Sequence, residues 1–140
     1  MKISVVVTNW NGLDLLKKNL GKEADALWYQ ILFTGICEVC GARANQVHHF
    51  YYKGQFGHLR YDLQNGITIC MGCHFCIHHK DPKPIEKIIE DKRGRAWADL
   101  MEYKSKNKES SFKTLKYYQD TVNRLRSALD NSRKDTIINI

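Results

Sequence analysis

A chain of 140 residues with a net charge of +7 has the length for one compact domain and is too short for two ordinary ones. No apolar run approaches the roughly 20 residues that a bilayer-spanning helix requires. The opening MKISVVVTNWNG is broken by Thr8, Asn9 and Asn11 before the apolar stretch of a secretory leader is complete. A cytoplasmic chain without a membrane partner is therefore expected. Its basic balance favours polyanions, of which nucleic acid is the commonest, although solvated lysines give the same number. Residues 101–140 hold nine Lys or Arg against five Asp or Glu, so the positive charge is biased toward the C-terminal segment.

In chain order, residues 3–7 (ISVVV) read as a short strand and Asn9 to Gly12 as a turn. Residues 13–33 read as a helix, with Leu13, Leu15, Leu16, Leu20, Ala24, Leu27, Trp28, Ile31 and Leu32 at mostly three- and four-residue spacing and Gly21 as a weak point. After Asp81-Pro82-Lys83-Pro84 a helix should start, with Ile85, Ile88 and Ile89 on its apolar face. Arg93-Gly94-Arg95 should end it, and a further helix should carry Trp97, Leu100, Met101 and Tyr103. Residues 104–111 read as a polar linker. A last helix spans about 112–130, its seam of Leu115, Tyr118, Val122, Leu125 and Leu129 spaced 3-4-3-4. The seam suits packing on the same chain or, alternatively, a dimer. Residues 131–140 read as a frayed tail. Lys113, Lys116, Arg124 and Arg126 lie mainly off the seam, facing solvent or backbone phosphates.

Every cysteine and every histidine of the chain falls between residues 37 and 79. Cys37-x-x-Cys40 and Cys70-x-x-Cys73 are two knuckles separated by 29 residues. Each CxxC turn points two thiolates at one centre, and two such turns make the tetrahedral four-sulfur set that zinc prefers. Gly41 and Gly72 suit the unusual backbone angles of such turns. A closed four-Cys site has no open position, so the expected Zn²⁺ is structural. Paired redox motifs are the alternative. Cys76 is left over and reads as a buried thiol.

The histidines then need another role. A helix starting near Cys73 puts His74 and His78 on one face, one turn apart, which makes a two-point metal platform. His48 would complete a three-histidine site with open positions, and its strand neighbour His49, facing the other way, would be free to act as a base. His79 is the alternative to His78. An all-imidazole set leaves the catalytic divalent ion open among Mg²⁺, Mn²⁺, Ni²⁺ and Zn²⁺, with imidazole favouring the last three.

The order CEVC…VHHF…LRYDLQNGITICMGCH…H resembles the HNH endonucleases, closest to their zinc-knuckle branch and to the small HNH proteins of phages and prophages. The resemblance covers about residues 24–104. It implies an α+β fold with a ββα-metal, treble-clef-like core, stapled by the four-Cys zinc site and flanked by N- and C-terminal helices. It divides the chain into residues 1–23 without assigned function, a nuclease domain at 24–104, and a basic helix and tail at 105–140. It implies His49 as general base, His48 and His74 as metal ligands, and Asn65 as the residue that orients the hairpin loop and the base. The spacing of His74 and His78 is also similar to the three-histidine sites of colicin DNases. Arg60 corresponds to a phosphate-binding position, the alternative being a surface ion pair with Asp62. Lys53, in the aromatic and basic loop after the base, is placed to touch DNA. His58 is more naturally a loop residue than a ligand.

The implied activity is metal-dependent hydrolysis of DNA, double-stranded by preference, by a monomer or by a dimer through the last helix, in a bacterial or phage-infected cell. The other class is a non-catalytic zinc-knuckle module that binds nucleic acid. Such a module needs the cysteines and the charge but not His48, His49, Asn65, His74 and His78 together. Separately, residues 3–20 resemble the opening strand–turn–helix of family-2 glycosyltransferases. That stretch is about one seventh of the chain, no Asp-x-Asp element follows it, and it carries no functional assignment.

Overall fold

The computed structural model describes residues 2–108 and 112–138. It is an α+β chain, mostly helical. The described elements are α1 (Lys2–Leu32), β1 (Gln46–His49), β2 (Gly66–Ile69), α2 (Met71–His79), α3 (Lys83–Arg93), α4 (Arg95–Lys106) and α5 (Leu115–Ile138). They fall into two compact units, one of Met1–Ile31 with Ser110–Ile140 and one of Leu32–Glu109.

The first unit pairs α1 with α5. Ala24 and Trp28 of α1 are buried, as are Thr121, Val122 and Leu125 of α5, and Arg126 forms an ion pair with Glu23. The centre of the expected seam on α5 is thus covered by the chain itself. Three expectations change here. The strand at 3–7 and the turn at 9–12 are helical, continuous with α1. A strand needs a hydrogen-bonding partner, and the one sheet among the described residues is β1–β2. The helical penalty of β-branched Val and Ile is small, and extending an existing helix needs no new nucleus. Leu13, Leu15 and Leu16 are exposed, so the buried part of α1 starts later than its apolar spacing suggested. The tail is helical through Ile138, with residues 139–140 outside the described residues.

The second unit is built on a two-stranded antiparallel hairpin in which His48 faces Ile67 and His49 faces Gly66. All four residues of β2 are buried, whereas all four of β1 are half-buried. Between the strands the chain makes a long excursion, residues 50–65, containing two single-turn helices at Gly57–Leu59 and Leu63–Asn65. Leu59, Tyr61, Ile67, Ile69, Ile85, Ile89 and Met101 are among the buried apolar side chains of this unit.

Helix α2 starts directly after β2, with the Cys70 sulfur accepting the Cys73 N–H at its N-terminus. Pro in the first turn starts α3, aided by the Asp81 side chain accepting the Lys83 N–H. Gly94, at φ 93°, turns the chain directly into α4. Ile88, Leu100 and Tyr103, expected on apolar faces, are exposed; α3 buries a narrower stripe of Ile85 and Ile89, and α4 buries Met101 and Ser105. The expected linker at 104–111 begins as the last turn of α4, and residues 109–111 lie outside the described residues. Among the described residues no helix is long and apolar enough to cross a membrane.

Candidate metal centres and the loop between them

Cys37, Cys40, Cys70 and Cys73 come together with their sulfurs all within 4.8 Å of one another. The first pair lies on a tight loop in which Cys37 N–H donates to Ala42 O at 2.7 Å and Gly41 N–H to Cys37 O at 2.9 Å. Gly41 has φ 76°, the left-handed region that a side chain rarely adopts. Gly72 does not share this geometry. It is part of the first turn of α2 and carries no positive φ, because the second CxxC is a helix start rather than a free loop.

The Cys40 and Cys70 sulfurs are 3.7 Å apart. Sulfurs held tetrahedrally at a zinc–sulfur distance near 2.3 Å sit about 3.8 Å apart, so the donors fit that ion. Cys37 is buried in a small core with Ala44 and Ile69, against which Phe33, Val39 and Ile77 pack. Burial by itself raises its thiol, but hydrogen bonds from the backbone of Cys40, Cys70 and Val39 outweigh it and hold Cys37 down to about 7. Burial and the neighbouring thiols push Cys73 well up. One thiolate thus forms readily, and the remaining protons leave when a cation takes their place. The set can hold a structural metal ion. Cys76 stands outside it and is half-buried.

The second cluster joins β1 to α2. One ring nitrogen each from His48, His74 and His78 lies within 4.8 Å of the others. The ring centroids of His48 are 5.2 and 5.3 Å from those of His74 and His78, and the latter two are 4.4 Å apart. The Nε2 atoms of His74 and His78 approach to 3.1 Å. Nitrogens around one ion at about 2.1 Å sit about 3.0 Å apart in an octahedral and about 3.4 Å apart in a tetrahedral set, so the spacing fits a shared cation. Burial, then the charges of His74, His78 and His49, lower His48 to about 4. Burial, then His78 and His79, lower His74. Both imidazoles are therefore neutral at pH 7 and present lone pairs without first losing a proton. His79 belongs to the other side of α2, its ring 4.5 Å from that of exposed Phe75.

His49 follows His48 on β1, but its ring is held by the excursion. Its Nε2 lies 2.9 Å from the Arg60 carbonyl oxygen. A carbonyl only accepts, so Nε2 carries the proton and Nδ1 is the basic nitrogen of the neutral ring. Two clefts, of about 340 and about 220 Å3, are both lined by His48, His49, Tyr52 and His78. Lys53 lines the smaller one together with His74.

Asn65 closes the excursion. It is fully buried, and its main-chain oxygen accepts the Phe50 N–H at 2.8 Å. Its side-chain Oδ1 accepts the Tyr51 N–H at 2.7 Å, and its Nδ2 donates to Tyr51 O and Leu59 O at 3.1 Å each. An amide is the side chain that can accept and donate at once in this way. The loop leaving His49 is thus tied to the residue that enters β2.

The structure gives several basic residues other duties. The Arg60 guanidinium lies over the Tyr61 ring at 5.5 Å, and Arg60 meets the site through its carbonyl rather than by lining either cleft. Asp62 pairs with Lys104 at 2.8 Å. The His58 Nε2 donates to Lys104 O at 2.8 Å. Arg126 and Lys116 pair with Glu23 and Asp120. Sequence reasoning missed Glu38, Arg93, Trp97 and Lys104 around the site, since their links cross tens of residues and leave no local periodicity.

Comparison of the chain with family models, with curated proteins and with solved structures returned no match.

Proposed function

We propose that the protein is a metal-dependent DNA endonuclease of the HNH type, in which β1, β2 and α2 form the ββα core. The observation that carries this reading is the joint arrangement of three histidine donors on β1 and α2 beside His49, whose Nε2 is hydrogen-bonded to a main-chain oxygen. A binding module stabilised by zinc has no use for that second donor set or for a base with its proton placed.

In this reading His48, His74 and His78 hold one divalent ion, which when bound supplies Lewis-acid stabilisation of charge on a phosphate. His49 Nδ1 takes a proton from the attacking water. The Arg60 carbonyl fixes the tautomer that makes Nδ1 the basic atom, and it stabilises the ring once it is protonated. Asn65 holds the loop that leaves His49. Lys53, exposed on the wall of the smaller cleft, binds a backbone phosphate of the DNA. The four cysteines hold structural zinc. The net charge of +7 suits a polyanionic partner.

The test is plasmid cleavage by wild type and His49→Ala with Mg²⁺, Mn²⁺, Ni²⁺, Zn²⁺ or excess chelator, with zinc content measured on both. Metal-dependent nicking by wild type, lost in His49→Ala while one zinc is retained in each, is the expected result. DNA binding and zinc retention without cleavage under any ion would make the chain a binding module instead.

A further inference from the structure

The last residue of α3 makes an unusual set of bonds. Arg93 Nε and Nη2 donate to the two carboxylate oxygens of Glu38 at 2.7 and 2.8 Å, a two-pronged contact. The same guanidinium donates from Nη1 to Gln64 O at 2.9 Å and from Nη2 to Gly66 O at 2.7 Å. Its plane lies over the Trp97 ring at 4.9 Å, and Trp97 Nε1 donates to Gln64 O at 3.1 Å.

Glu38 sits inside the first cysteine knuckle, and its own N–H donates to Thr68 O of β2 at 2.9 Å. Gln64 and Gly66 are the two neighbours of Asn65, and Gly66 is the register partner of His49. One side chain therefore binds the carbonyl of the peptide that enters Asn65 and that of the peptide that leaves Gly66, and ties both to the loop that carries Cys37 and Cys40. Gly94, at φ 93°, makes the bend that brings Trp97 beneath the guanidinium.

We propose that Arg93 is a positioning residue for the His49–Asn65 site: anchored on Glu38 of the cysteine knuckle, it holds the Gln64 and Gly66 carbonyls so that Asn65 keeps the loop after His49 in place. It touches neither substrate nor metal. Only a planar fork makes these four bonds at once. Lysine, a single point with three donors, keeps the charge but not the geometry. The catalytic consequence rests on the nuclease reading; the positioning of the loop does not.

Two readouts on zinc-loaded wild type and Arg93→Lys separate the two. The first is amide hydrogen exchange at Tyr51 and Phe50, whose N–H groups donate to Asn65, with the Ile89 amide of α3 as the control. The second is cleavage, resolved into kcat and KM. Exchange at Tyr51 and Phe50 should quicken by about tenfold with Ile89 unchanged. In the same variant kcat should fall about 10- to 100-fold, the usual loss when an outer support is removed, with KM for DNA within about twofold. Unchanged exchange at Tyr51 and Phe50 overturns the proposal. So does loosened exchange with wild-type kcat. Cleavage by neither protein defeats the nuclease reading, and the exchange rates then decide by themselves whether Arg93 positions the loop. Should Arg93→Lys fail to fold, Glu38→Gln, which removes one arm of the fork's anchor, should quicken the same two amides. Unchanged exchange there overturns the proposal equally.

Discussion

The cysteine and histidine clusters both gather donors from the N-terminal side of the hairpin and from α2, yet their surroundings are opposite. Cys37 sits in a small apolar core on which Cys70 and Cys73 pack, Cys40 is exposed, and the four sulfurs lie close enough together to fill a tetrahedral set by themselves. Of the three histidines, His48 and His78 border two clefts and His74 the smaller one; they offer three donors rather than four, and stand beside a fourth histidine whose Nε2 proton is held by a carbonyl. Closure suits an ion that stabilises the fold, and openness suits one that meets a substrate. The nine-residue helix α2 and its N-cap offer donors to both, Cys70 and Cys73 to one and His74 and His78 to the other.

If that contrast is right, damage to the two clusters should differ in kind. The largest effect belongs to the cysteines. Cys37→Ser, or a chelator strong enough to strip zinc, should unfold residues 32–108, because the binding energy of a structural zinc ion is folding energy of about 10 kcal/mol or more in small domains. Far-UV and near-UV circular dichroism with zinc titration reads this directly. His49→Ala comes next. It should lower cleavage by about 10²- to 10⁴-fold, the usual range for a general base, with zinc content and melting temperature unchanged. His74→Ala should weaken binding of the second divalent ion by at least tenfold without loss of the first, measured by calorimetry on zinc-loaded protein.

Acid should separate the clusters further. His48 has a lower affinity for protons in the fold, about 4, than its ordinary 6.5. Above 6.5 both folded and unfolded chains carry it neutral, and it adds no pH dependence. Between 6.5 and about 4 the unfolded chain takes up the proton and the folded chain does not, so stability falls as pH falls. His74 is displaced in the same direction. Urea midpoints of zinc-loaded protein lacking the second ion should therefore decline from pH 7 to 5, and His48→Gln should flatten the decline. Lys53→Ala is the smallest change expected. It should raise KM for DNA severalfold and reduce the salt dependence by about one phosphate contact, leaving kcat in place.

Much of the site was legible in the sequence. Cysteine spacing, adjacent histidines on a strand and an i, i+4 histidine pair on a helix are local patterns, and the structure brings both donor sets together at those residues. The misreadings came where a local pattern had a tertiary answer. ISVVV has strand-forming residues but no strand to pair with, and helix α1 runs through it. CMGC looks like CEVC, yet one knuckle is a loop needing a positive φ at Gly41 and the other is the first turn of a helix. Arg93 reads only as a helix end. Its work is done on Glu38, 55 residues away in sequence.

The most direct single measurement is native mass spectrometry of the protein after dialysis against EDTA and again after addition of Mn²⁺ or Ni²⁺, for wild type and His74→Ala. A chain with one closed and one open centre keeps one zinc through dialysis, gains one further ion on addition, and loses only that gain in His74→Ala. A chain that keeps no zinc, or that gains no second ion, or whose second ion is indifferent to His74, does not have two centres of different kinds.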